Sequence, residues 1–96
     1  MNFSLHNHHI PQRHPDFVLE TFDGEVLLYT ITDARAVYLN ETAHLIWLLC
    51  EGRNTVGEIV AALAASFPEA KDAIREDVLA ALRSLLGLGA VTIVEA

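Results

Sequence analysis

With one cysteine in 96 residues, Cys50 has nothing to pair with, so neither a disulfide framework nor a cysteine-based zinc site can be built. Inside the apolar run of a helix this thiol reads as a small, inert core residue. Cations are scarce too: six Lys and Arg stand against 13 Asp and Glu, for a net charge of -7. Phosphate backbones are held chiefly by neutralising Lys and Arg, so this balance argues against nucleic acid and against anionic membrane surfaces as partners. Long apolar runs are missing. The longest, residues 59–65, falls far short of the roughly 20 residues a membrane helix needs. No hydrophobic signal core opens the chain, and the expectation is a soluble, cytoplasmic protein.

The usual machinery of catalysis is missing as well. There is no nucleophile–base pair and no metal-ligand spacing on a regular element. Gly87-Leu88-Gly89 follows a helix, whereas a phosphate-cradling loop must open one. The acidic residues are scattered, and Glu76-Asp77 reads as a solvated helix face. Paired carboxylates need a sequestered pocket to split their pKa values, and nothing in the sequence marks one. The chain is therefore expected to be neither an enzyme nor a cofactor-binding protein.

What is present is apolar substance: 52% of the residues are hydrophobic. That suffices for one domain with a modest core, and a domain so small leaves some apolar area for a partner. Residues 1–16 are polar, hold Pro11 and Pro15, and show no periodicity, so they read as a flexible arm ahead of a domain spanning 17–96. The arm carries His6, His8, His9 and His14. Metal ligands need a scaffold and partners that orient them, and in a flexible arm no dedicated metal site is expected.

Beyond the arm the fold class reads as α+β. Residues 17–22 alternate apolar and polar, Asp23-Gly24 is a tight hairpin turn, and 25–32 return as a strand whose centre, Val26-Leu27-Leu28-Tyr29, is apolar on both faces. A turn at 32–34 leads to a third strand over 35–39, completing a three-stranded antiparallel meander. Its outer strands each keep an open edge unless something covers them. Asn40 suits the N-cap of a helix beginning at Glu41, with Ala43, Ile46, Trp47 and Cys50 as its stripe and Gly52 as its stop. Thr55-Val56-Gly57-Glu58 has capping-box spacing for a second helix running to about Phe67. A third helix runs from about Asp72 to Leu86, broken by Gly87 and Gly89, and 91–94 form a short β tail that pairs with the sheet or lies along the core. Three helices with a β-wing describe a winged-helix-like body.

Three stretches, taken together, resemble the PqqD family. They are Val37-Tyr38-Leu39-Asn40-Glu41-Thr42-Ala43; Ile46 with Leu49-Cys50-Glu51-Gly52; and Thr55-Val56-Gly57-Glu58-Ile59. These are the small peptide chaperones of pyrroloquinoline quinone synthesis and, among their relatives, the recognition elements for ribosomally made, modified peptides. The resemblance spans about residues 17 to 94 and rests on a leucine-asparagine-x-threonine run, a following glycine and a second helix cap. It implies a non-catalytic protein without cofactor. Such a protein binds the leader segment of a precursor peptide as a strand added beside the third strand and against the third helix. It then hands the peptide to a modifying enzyme, often of the radical-SAM kind. Carried onto this chain, the strand side is Arg35, Ala36, Val37, Tyr38 and Leu39. The helix side is Arg75, Val78, Leu79, Leu82 and Arg83, with Arg35, Arg75 and Arg83 as attractors for acidic leader residues. Asn40 and Thr42 are capping residues. A proline at Val37 is expected to remove an edge N–H and abolish binding.

Two other functions compete. An open strand edge is a route to self-pairing, hence to a homodimer or larger assembly. A winged-helix DNA binder would present a basic recognition helix, but the second helix has no Lys or Arg from Val56 to Phe67.

Overall fold

The computed structural model describes residues 4–32 and 34–94. The Asp23-Gly24 pair shapes the first hairpin. Both residues take positive φ, 52° and 77°, as a two-residue turn matched to strand twist requires. The turn joins β2 (Phe17–Phe22) to β3 (Glu25–Thr30), with Phe22 opposite Glu25 and Phe17 opposite Thr30. A second turn leads to β4 (Ala36–Leu39), antiparallel to β3, with Leu28 opposite Val37 and Val26 opposite Leu39. The sheet order is β2-β3-β4, the expected meander with β3 in the middle. Phe17, Leu28 and Leu39 carry its inner face into the core.

The helices begin where the caps place them. Asn40 Oδ1 accepts from the Ala43 N–H at 2.8 Å, and α1 (Glu41–Leu49) follows. Thr55 Oγ1 accepts from Glu58 N–H at 3.1 Å while Glu58 Oε1 accepts from Thr55 N–H at 2.8 Å, opening α2 (Val56–Ser66) with both arms of the box closed. A short 3-10 turn, Pro68–Ala70, leads into α3 (Lys71–Leu88). Contrary to expectation, α3 passes through Gly87 and stops at Gly89. Gly89, at φ 86°, supplies the left-handed residue that a helix end favours, and Ala90 N–H then donates back to Leu85 O at 2.9 Å. Gly87 lacks that geometry and costs the helix only propensity. Ile46, Val56, Ile59, Leu63, Val78 and Leu82 meet the sheet in one core.

The N-terminal stretch departs most from its sequence pattern. In place of a structureless arm there is a strand, β1 (Ile10–Arg13), paired antiparallel with β5 (Val91–Val94) so that Ile10 faces Val94 and Arg13 faces Val91. The β tail thus pairs with β1 in a separate two-stranded sheet and does not join the meander. On its other side β1 is held by the loop after α1: Arg13 N–H donates to Cys50 O at 2.9 Å and Gly52 N–H to Pro11 O at 3.1 Å. Further upstream, Asn7 and His9 offer carbonyls to the Gly57 and Val56 N–H groups at 3.1 and 2.8 Å, satisfying donors at the start of α2 that have no helical partner. Leu5 and Pro11 are buried. Long-range partners order this segment, and a local pattern cannot show them.

Candidate functional site

The register of β4 decides which backbone groups it offers. Thr30 N–H donates to Arg35 O at 2.9 Å, so these two residues form a hydrogen-bonded pair at the turn. Antiparallel ladders alternate hydrogen-bonded with non-hydrogen-bonded pairs, which makes Leu28–Val37 and Val26–Leu39 the bonded pairs farther along. The N–H and C=O groups of Val37 and Leu39 therefore point inward to β3, and those of Ala36 and Tyr38 point outward. β4 ends the sheet order, so Ala36 and Tyr38 present a strand edge. This corrects the role expected of Val37, whose N–H belongs to the ladder.

Beside that edge lies an open groove of about 850 Å³ between β4, the start of α1 and one face of α3. From α3 the lining takes Asp77, Ala80, Ala81, Ser84, Leu85, Gly87 and Leu88, at helical spacing and mostly small. Thr42 and Ala43 contribute from α1. Val37 is 37% exposed toward this space and Tyr38, on the opposite face of the sheet, is 60% exposed. Short side chains along α3 keep the helix surface back from the strand. An extended segment seated there meets backbone donors and acceptors on one side and an apolar wall on the other.

Of the residues expected at this site, the structure brings Ala36, Val37, Tyr38 and Leu39 together along the groove. The helix residues expected at the site are not among those that line this groove. Val78 and Leu82 are fully buried and Leu79 is 8% exposed, so all three pack in the core and offer no surface to a partner. Arg75 and Arg83 are exposed and do not line the groove; Arg75 lies about 160° around the helix from Asp77, while Arg83 stands one turn from the lining residues Ala80 and Gly87, at the groove's rim. The strongest apolar stripe of an amphipathic helix marks its core face; the groove face is marked by the small residues Ala80, Ala81 and Ser84 between Asp77 and Leu88, with Leu85 shared by core and groove.

Arg35 stands at the end of the groove with its guanidinium engaged. Nη1 donates to the Leu88 carbonyl, and the charge lies 5.5 Å from the centre of the Phe17 ring. Arg13 behaves alike at α1, donating to Trp47 O and Leu48 O at 3.2 and 2.9 Å and sitting 5.9 Å from the Trp47 ring. Neither α1 nor α3 has a basic residue in its own last turn. The two arginines supply from outside the cations that helix C-termini favour.

Electrostatically the groove is mild and faintly acidic, with Asp77 its charged lining residue. Burial pushes the Cys50 thiol up to about 12, against a small opposing pull from Arg13, so no thiolate is available near neutral pH. On the outer sheet face Tyr29 O–H donates to Glu20 Oε1 at 2.6 Å, which raises the tyrosine's pKa. The His6, His8 and His9 rings gather with centroids 4.6 to 5.6 Å apart. Among the described residues no three His, Cys, Asp or Glu side chains are placed to hold a metal ion, and no helix is long and apolar enough to cross a membrane.

In comparison with known proteins, the model of the family described as coenzyme PQQ synthesis protein D (PqqD) matches residues 24–91. No curated protein matches the chain significantly. A solved structure described as TbiB1 in complex with the TbiA(beta) leader peptide is similar in fold, with a TM-score of 0.71 and 22% identity over 88% of this chain and 99% of that one.

Proposed function

The chain belongs to the family of coenzyme PQQ synthesis protein D, and from that premise we propose that it is a non-catalytic receptor for the leader segment of a ribosomally made precursor peptide. The leader adds as a fourth strand beside β4, and the protein presents it to a modifying enzyme, with radical-SAM proteins the first class to test. The observation that carries this reading is the outward backbone of Ala36 and Tyr38 above a groove walled by small side chains. Edge pairing is blind to side chains and supplies affinity; the wall beside it supplies choice. The fold shared with a structure described as holding a leader peptide supports the same reading.

A titration followed by backbone amide NMR tests it, using leader segments of the short peptides encoded beside the gene. Shifts are expected at residues 36–40 and along Asp77, Ala81, Ser84 and Leu88. Tyr38→Pro removes an outward N–H from an edge strand, where proline is tolerated, and is expected to abolish binding in a folded protein. Val37→Pro is expected to break the ladder to Leu28 and destabilise the sheet instead. Undiminished binding by folded Tyr38→Pro protein would overturn the reading. The same open edge supports a second reading, pairing between two copies of the chain, for which sedimentation across concentration is the test: a mass that doubles and falls back in Tyr38→Pro favours it.

A further inference from the structure

The groove has a direction and a charged end, and together they describe the peptide it takes. The contact of Arg35 with the Leu88 carbonyl ties the start of β4 to the end of α3, so strand and helix run in opposite directions along the groove. Asp77, three turns before Leu88, therefore lies about 16 Å away, at the Leu39 end. That length seats about five extended residues. A guest strand bonded to Ala36 and Tyr38 has its side chains opposite Val37 and Leu39 on the inner face, because cross-strand neighbours share a face. The wall that guest faces is Ala80, Ala81, Ser84 and Leu88, with Asp77 at the far end from Leu88.

Asp77 is exposed and is the charged residue of the lining. Of the cations on or near α3, Arg35 is held on Leu88 O and over Phe17, and Lys71, Arg75 and Arg83 are not among the residues that line the groove. An acidic guest side chain at this end would meet like charge.

We propose that the client carries a Lys or Arg two residues from an apolar anchor, the anchor filling the space opposite Val37 and the cation received by Asp77. This rests on the strand-addition reading, and it reverses the acidic-leader expectation drawn from the three arginines.

The test is selection of random heptapeptides displayed on phage against the full-length protein, against Asp77→Lys and against Tyr38→Pro. Wild type is expected to enrich sequences with Lys or Arg two positions from a bulky apolar residue, and Asp77→Lys to exchange that cation for Asp or Glu. For synthetic versions of the selected peptides, Lys→Glu is expected to weaken binding to wild type about fivefold, an effect that shrinks in 0.5 M salt. The same change should strengthen binding to Asp77→Lys, which isolates the pair from the rest of the interface. Apolar consensus sequences that bind wild type and Asp77→Lys alike, without charge preference, overturn the cation proposal and leave the edge reading standing, provided Tyr38→Pro fails to enrich them. No enrichment on wild type, or equal enrichment on Tyr38→Pro, brings down both.

Discussion

Leu82 and Ser84 share a helix and do opposite jobs. Leu82 is fully buried, so Leu82→Ala leaves a cavity and is expected to cost about 2–5 kcal/mol in urea unfolding, with client affinity of the folded protein unchanged. Ser84 is exposed on the groove wall, so Ser84→Leu is expected to alter stability by no more than about 0.5 kcal/mol and to block the groove. The reverse pattern, binding lost with Leu82→Ala and kept with Ser84→Leu, would return the site to the helix face that the apolar stripe indicates. Single residues also have partners that a sequence does not show. From sequence, Arg35 is an unattached cation beside a strand; in the fold it serves the carboxyl end of α3, a pairing 53 residues apart in the chain. His9 gives a pH prediction. Desolvation, reinforced by the charges of His8 and His6, lowers its pKa from the ordinary 6.5. A group with a depressed folded-state pKa binds fewer protons folded than unfolded, so its contribution is complete above 6.5 and is lost as pH falls through the folded value. Urea midpoints should fall between pH 7.5 and 5, and His9→Gln should flatten that fall; equal slopes for the two proteins would show that His9 takes no part.

At the scale of elements, what a local signal fixes is readable, the exact end of α3 excepted, and what a distant partner fixes is not. The Asp23-Gly24 turn, the Asn40 cap and the Thr55–Glu58 box lie within four residues of the structure they set, and all three are where their patterns place them. The meander and the three helices follow from them. β1 is too short for its period to show and holds a proline; its existence depends on β5 at the far end of the chain and on the loop at Cys50 to Gly52. The groove face of α3 stayed hidden for a related reason: small and polar side chains at 77, 80, 81 and 84 read as a solvated surface until β4 stands opposite them. Removal of residues 1–13 tests the structural role of β1. It takes Leu5 and Pro11 from the interior and leaves the carbonyl of Cys50 and the N–H groups of Gly52, Val56 and Gly57 without their partners. A loss of about 2 kcal/mol or more is expected in denaturant unfolding, since burying one leucine alone contributes that order. An unchanged midpoint would mean that the segment is dispensable and its pairing weak.

Taken whole, the molecule is a core of three helices with one sheet closed on a loop and another left open beside a helix. The open side faces a groove with apolar walls and little charge, in a protein of net charge -7. Binding there by strand addition makes a demand that contact through side chains alone does not: the guest must engage alternate backbone amides of β4. Amide hydrogen exchange read residue by residue is the most direct measurement of that demand. In the free protein, Val37 and Leu39 should exchange slowly, held by β3, while Ala36 and Tyr38 exchange fast. Saturation with a bound leader segment should slow Ala36 and Tyr38 to rates like those of their neighbours. If Ala36 and Tyr38 remain fast while the peptide is fully bound, the leader is not a strand of this sheet and the account is wrong.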